Sequence, residues 1–127
     1  KLLLVEDDKR FGQILKHELD DEEHSVELVT DGVEAVLDFI GSRFDVVLMD
    51  VRMPRLGGLD ALCIIRRLSP GIPAIVFSAA ASSSEISEAE LGGRAKFLAK
   101  PFEIAELKKE ILRLTVGDAS RPWKQEH

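Results

Sequence analysis

The sequence predicts an α/β domain built on an open parallel sheet covered on both faces. Two observations carry this reading. Short apolar runs alternate with stretches whose apolar residues recur at helical spacing, and the alternation repeats five times. The strongest of the short runs, Leu2-Leu3-Leu4-Val5 and Val46-Val47-Leu48-Met49, are continuously apolar, as strands buried on both faces require. Strands that alternate with helices imply a parallel sheet joined by right-handed crossovers.

Leu2 to Val5 is the first strand. Phe11, Ile14, Leu15 and Leu19 then mark the apolar face of a helix. Ser25 to Val29 is a second strand, and Val33, Val36, Leu37 and Ile40 repeat at i, i+3, i+4, i+7 on a second helix. Phe44 to Met49 is the third strand, followed by a helix over Leu59 to Leu68, in which Cys63 is expected as a small core residue. Ala74 to Phe77 is a strand framed by Pro73 and Ser78. A helix over Ser82 to Leu91 has the thinnest apolar face, with Ser82 and Glu85 able to form a capping box. Lys96 to Ala99 is the fifth strand, and Ile104, Leu107, Ile111 and Leu114 mark the fifth helix. Residues 1–116 are read as one domain; 117–127, polar and carrying Pro122, as a linker or C-terminal tail.

A chain of 127 residues buries enough surface for a core without disulfides. The single Cys63 excludes an internal disulfide and a Cys-based zinc site, and His17, His24 and His127 lack metal-ligand spacing. No apolar run approaches the ~18 residues of a membrane span, and no signal peptide is present, so a cytoplasmic setting without membrane contact is expected. With 17 Lys+Arg against 23 Asp+Glu the formal charge is −6, and no basic run exists; nucleic-acid binding by this domain is not expected. The chain begins at Lys1 without a Met, which reads as a fragment of a longer protein.

In an open α/β sheet, ligands bind outside the carboxyl ends of the strands. Strand one ends in Glu6-Asp7-Asp8, strand three in Asp50, strand four in Ser78 and strand five in Lys100-Pro101. If strands one and three are neighbours, as in a 2-1-3-4-5 order, three carboxylates crowd together, and like charges at close range cost free energy. Hard oxygen donors with no Cys or His nearby favour Mg²⁺. Lys100 adds a fixed positive charge and Ser78 a hydroxyl. A carboxylate, a divalent cation, a lysine and a hydroxyl together make a phosphoryl-transfer site, with a carboxylate as nucleophile. Asp8, one place beyond the acidic pair, reads as a solvated loop residue.

Four stretches in this order and spacing carry a resemblance: Leu2 to Asp8, Val46 to Pro54, Phe77-Ser78-Ala79 and Phe97 to Phe102, with Gly58 four residues after Pro54. The chain resembles the response-regulator receiver domains of two-component signalling over residues 1 to about 116. The resemblance implies a flavodoxin-like sheet of order 2-1-3-4-5 with five flanking helices. It implies that Asp50 accepts the phosphoryl group from a sensor histidine kinase or phosphotransfer protein. Asp7, Glu6 acting through water, Asp50 and the backbone carbonyl of Arg52 would hold Mg²⁺. Lys100 would be the conserved-type lysine, followed by a cis peptide before Pro101; Ser78 and Phe97 would be the switch residues. The implied role is a signalling switch and not a metabolic enzyme. Its output would pass to an output domain or downstream protein, with a possible homodimer through the fourth helix, fifth strand and fifth helix. Arg94 stands where the family usually has Ala, and Gly57 where it often has Asp.

Three rival readings fit these residues less well. A receiver-like interaction module that is not phosphorylated would be expected to lack part of the acid set, which is complete here. An aspartate-nucleophile phosphatase would want an acid two residues after the nucleophile, where Arg52 stands. A flavin or nucleotide site would want a Gly- or Ser/Thr-rich loop after strand one, where Glu6-Asp7-Asp8 would repel a phosphate.

Overall fold

The alternation of apolar runs and helical stretches folds into a single five-stranded parallel sheet. The computed structural model describes residues 1–21, 23–52, 55–78 and 95–119. The strands are β1 (Leu2–Val5), β2 (Val26–Val29), β3 (Val46–Asp50), β4 (Ala74–Ser78) and β5 (Ala95–Ala99). Their spatial order is β2-β1-β3-β4-β5, all parallel, which bears out the expected topology. Among the described residues the helices are α1 (Lys9–Leu19), α2 (Gly32–Gly41), α3 (Gly58–Leu68) and α4 (Ile104–Ala119). The helix expected over Ser82–Leu91, and Arg94, lie outside the described residues, so α4 corresponds to the last expected helix. It runs on to Ala119, past the expected boundary at residue 116.

Period-two alternation in the strands divides the core into two layers. Leu3, Val5, Val47, Met49, Ala74 and Val76 point to one face, where Ala35 of α2 and Ala61, Leu62 and Ile65 of α3 cover them. Leu2, Leu4, Val46, Leu48, Ile75 and Phe77 point to the other face, under Leu15 and Leu19 of α1 and Leu107, Ile111 and Leu114 of α4. Strands β1, β3 and β4 are buried along their whole length.

The helical stripes are narrower than the apolar pattern implied. Ile14, Leu37 and Ile40, assigned to core-facing positions, are 52%, 62% and 64% exposed. Cys63 is likewise exposed, not a core residue. The buried stripe of α3 runs through Gly58, Ala61, Leu62 and Ile65. Position 63 therefore lies one step around the helix from that stripe, where apolar character says nothing about burial.

Two glycines fix how closely the helix starts approach the sheet edge. A Cβ at Gly58 would stand 2.0 Å from the Asp50 carbonyl oxygen, and one at Gly32 would stand 2.2 Å from that of Leu56. Gly58 also donates its N–H to the Val51 carbonyl at 2.8 Å, so the turn after β3 closes directly against the strand. By contrast, a Cβ at Gly41, the last residue of α2, would meet nothing within 4 Å. Gly58→Ala is therefore expected to lose about 2 kcal/mol or more of unfolding free energy, since overpacking against backbone costs ~1–3 kcal/mol. Gly41→Ala should be neutral or gain up to about 1 kcal/mol through the unfolded chain. Urea unfolding of both variants measures this; equal effects would mean that the Gly58 contact is not what holds that turn.

Candidate functional site

Parallel pairing puts the carboxyl ends of β1, β3, β4 and β5 at one edge of the sheet. Val5 pairs with Met49, so Glu6 emerges beside Asp50, the last residue of β3. Asp50 pairs with Phe77, which places Ser78 at the same edge, and Ser78 pairs with Ala99, which delivers Lys100. Local sequence sets each side chain. The Lys100 N–H donates to the Ser78 carbonyl at 3.0 Å, and the Lys100–Pro101 peptide is cis, as the resemblance implied.

One carboxylate oxygen each from Glu6, Asp7 and Asp50 lies within 4.8 Å of the others. Glu6 is fully buried and Asp50 is 7% exposed, whereas Asp7 is open to solvent. The Lys100 ammonium reaches into this cluster, donating to Asp50 Oδ2 at 2.6 Å and to Glu6 Oε1 at 2.9 Å. The other Asp50 oxygen, Oδ1, accepts the Arg52 N–H at 3.0 Å, and Glu6 Oε2 accepts the Asp8 N–H at 3.1 Å. Beneath the ammonium lie rings: Phe11 at 4.7 Å and Phe77 at 5.7 Å from Nζ to the centroids. Phe102 packs against both, with centroids 6.0 Å from Phe11 and 5.4 Å from Phe77. Ring faces attract a cation and exclude water from it.

Burial pushes the Glu6 carboxyl up to about 7, and the charge of Asp50 adds to the rise; the Lys100 and Asp8 hydrogen bonds only partly oppose it. For Lys100, burial works against the charged form. Its hydrogen bonds to Asp50 and Glu6, with their charges, outweigh that and hold its pKa above the ordinary lysine value. Two of the three clustered carboxyl groups, Glu6 and Asp50, thus share one ammonium. The donor set is all hard oxygen, without His or Cys, and a divalent cation of the Mg²⁺ type fits both the charge and the chemistry.

The structure brings Glu6, Asp7, Asp50, Lys100 and the Arg52 backbone together and leaves the Arg52 side chain exposed. Ser78 stands buried at the same edge. Phe97 does not join the cluster; it is half-buried on β5 opposite Val76. Asp8 lies in the loop before α1, as its reading as a solvated loop residue expects, and has a further role. It is exposed, but it caps α1 by accepting the Phe11 N–H at 3.1 Å, and an Asp three residues before the first apolar helix position is the sequence signal for that. The aromatic box has no local sequence signal. Phe102 immediately follows Lys100-Pro101, but Phe11 is distant in sequence, and only the register of the sheet joins them.

Comparison with known proteins agrees with this geometry. The sequence profile of the response regulator receiver domain matches residues 2–112. Response regulator MprA of Mycobacterium avium (strain 104) is 40% identical over 108 residues, covering 84% of this chain and 47% of that protein. Response regulator MprA of Mycobacterium sp. (strain KMS) is 36% identical over 121 residues, covering 93% of this chain and 53% of its own length. The chain thus spans about half the length of these curated relatives. Among solved structures, the receiver domain of the Francisella response regulator 1452 is similar with a TM-score of 0.83 and 30% identity, over 92% of this chain and 97% of that one. The receiver domain of the sensor histidine kinase PA1611 from Pseudomonas aeruginosa PAO1 is 35% identical with a TM-score of 0.78, over 91% of this chain and 96% of that one. That structure has a magnesium ion coordinated in its active-site cleft.

The charge arrangement predicts a pH-dependent cost for removing the lysine. Lys100→Met leaves Glu6 and Asp50 without their shared cation. Removing one partner of a buried pair costs ~3–5 kcal/mol, and since Lys100 is about a fifth exposed the lower end, about 3 kcal/mol, applies at pH 8 without divalent cations. A carboxyl whose folded pKa is raised contributes most to stability below its unfolded value, near 4.5, and loses that contribution as pH rises through the folded value, about 7 for Glu6. The penalty of Lys100→Met should therefore shrink as pH falls from 8 to 5. Denaturant unfolding across that range measures it; a penalty independent of pH would contradict the charge account.

Proposed function

We propose that this chain, which belongs to the response regulator receiver domain family, accepts a phosphoryl group on Asp50 from a phosphohistidine donor and converts the added charge into a change of surface. The observation that carries this reading is the Lys100 ammonium, 2.6 Å from Asp50 and 2.9 Å from Glu6 at the carboxyl edge of the sheet. In the transfer, an Asp50 carboxylate oxygen attacks phosphorus. The new O–P bond forms as the P–N bond of the donor breaks, and the electron pair leaves with the imidazole nitrogen. The product is an acyl phosphate. The Arg52 N–H on Oδ1 fixes the orientation of the carboxylate, and Lys100 balances phosphoryl charge through a charge-assisted hydrogen bond. Glu6, Asp7, Asp50 and the Arg52 carbonyl would hold Mg²⁺, which when bound supplies the remaining counter-charge for the phosphoryl oxygens.

The chain is a switch and not a turnover enzyme in this reading. Phosphorylation adds about −1.5 to −2 charge, and Ser78, buried at the end of β4, would turn its hydroxyl toward the new oxygens. Phe97 on β5 would then move inward, carrying the change to the surface of β5 and α4, where a partner or a second copy would read it. A sensor histidine kinase or phosphotransfer protein would supply the phosphoryl group. An output domain or downstream protein would receive the signal. No helix among the described residues is long and apolar enough to cross a membrane; a cytoplasmic setting is part of this proposal.

Labelling with a small-molecule phosphodonor tests the reading. Intact mass should show one added phosphoryl group in wild type and none in Asp50→Asn. The same assay run against Mg²⁺ concentration separates the neighbouring acids. Asp7→Ala should shift the half-maximal Mg²⁺ upward by roughly tenfold or more, the scale at which metal sites lose affinity when their ligand environment is damaged. Asp8→Ala should leave it near wild type while costing about 1 kcal/mol of stability through the lost α1 cap. Labelling of Asp50→Asn equal to wild type would overturn the acceptor assignment.

A further inference from the structure

Two loops beside the site are tied together by a pair of charges. Arg55 lies in the connection between β3 and α3, three residues beyond Arg52. Its Nε and Nη2 both donate to Asp31 Oδ2, the Nε at 3.1 Å. Asp31 sits in the connection between β2 and α2, and its Oδ1 caps α2 by accepting the Glu34 N–H at 2.8 Å. The cap, the Arg55 hydrogen bond and the Arg55 charge all hold the Asp31 carboxyl below the usual carboxylate range. The backbone at Arg55 has φ of 66°, a left-handed conformation that glycine adopts freely and arginine does not. Immediately beside the pair the two loops also meet through backbone: the Leu56 carbonyl leaves no room for a Cβ at Gly32. At its base the same connection turns back on β3, with Gly58 N–H on the Val51 carbonyl at 2.8 Å and Arg52 N–H on Asp50 Oδ1 at 3.0 Å. The Asp31–Arg55 pair thus anchors the far side of a turn whose near side orients Asp50.

We infer that Asp31 and Arg55 are positioning residues: their ion pair latches the turn after β3 onto the start of α2 and thereby sets the Arg52 backbone that faces Asp50. Neither residue touches the reacting atoms. The latch holds an arginine in a left-handed backbone conformation, in a connection that closes on β3 through the Gly58 N–H on the Val51 carbonyl and the Arg52 N–H on Asp50. The inference rests on the receiver-site reading above for the consequence, a change in Mg²⁺ affinity, but not for the latch itself. Arg55 is well exposed, so the pair is screened by salt, and the latch is weaker at high ionic strength.

The test uses Asp31→Asn, Arg55→Gly and Arg55→Lys in the full chain. Asn caps a helix as well as Asp, so Asp31→Asn removes the charge and keeps the cap. Arg55→Gly removes the tie and suits the left-handed backbone. Arg55→Lys keeps a charge for Asp31. Amide hydrogen exchange of Arg52 and Gly58 in metal-free protein reads the latch directly, and Mg²⁺ titration reads its consequence. Expected are exchange at those amides at least roughly threefold faster in Asp31→Asn and Arg55→Gly, and a Mg²⁺ dissociation constant raised roughly three- to tenfold. That is below the ~10–100-fold of fully buried supporting partners because Arg55, one half of the pair, is exposed. The urea midpoint should stay near wild type, Arg55→Lys should restore much of both readouts, and 0.5 M salt should move wild-type exchange toward the variants. Wild-type exchange rates in both charge-removing variants, or no salt effect on wild type, would overturn the latch. Absence of Mg²⁺ binding in wild type would instead count against the receiver-site reading, and the metal-free exchange still decides the latch.

Discussion

Among the described residues, the ammonium of Lys100 is the charge against which the rest of the site is balanced. It stands between two buried carboxyl groups, at 2.6 Å from Asp50 and 2.9 Å from Glu6, over a floor of phenylalanine rings. Take it away and the buried Glu6 carboxyl, which burial already raises, is left beside Asp50 with no cation. With it in place, Asp50 Oδ2 is held by a charge-assisted hydrogen bond at the carboxyl edge of the sheet, where the proposed function has the phosphoryl group arrive. The low-dielectric surroundings cut both ways: they make the unpaired acid costly and the paired one strong.

That balance exists because of topology. A parallel sheet brings the ends of strands distant in sequence to one edge, and the order β2-β1-β3-β4-β5 makes β1 and β3 neighbours at its centre. Glu6 and Lys100 are 94 residues apart in sequence and share a hydrogen bond. The turn after β3 is shaped by backbone contacts: Gly58 lies against the Asp50 carbonyl, and the Arg52 N–H holds the Asp50 carboxylate. Rigid strands supply the position, and short turns supply the orientation.

Much of this was legible in the sequence, for physical reasons that differ by feature. The buried strands were readable because central parallel strands must be apolar on both faces, as Leu2 to Val5 and Val46 to Met49 are. Glu6, Asp7, Asp50 and Lys100 were readable because polar residues directly after such strands have few other roles. The helix faces were less legible. Ile14, Leu37, Ile40 and Cys63 are apolar yet exposed, since an apolar residue on a helix reports its own chemistry and not which side the sheet covers. The contacts that depend on three-dimensional closure were not legible at all. Nothing local marks Phe11 as a wall for Lys100, or Asp31 as the partner of Arg55. Asp8 is the solvated loop residue its position suggests, and its cap role is not separable in sequence because an Asp beside an acidic pair and an Asp at a helix cap are the same residue type.

A double-mutant cycle on Asp50→Asn and Lys100→Met tests the central claim most directly. Unfolding free energies of wild type, both single variants and the double variant are compared at pH 8 without divalent cations. If Lys100 is the shared counter-charge, the two changes couple, with an interaction energy of about 1–3 kcal/mol, as for residues in one hydrogen-bonded network. Additive effects within about 0.3 kcal/mol would mean that the ammonium and the Asp50 carboxylate do not depend on each other, contrary to the arrangement described.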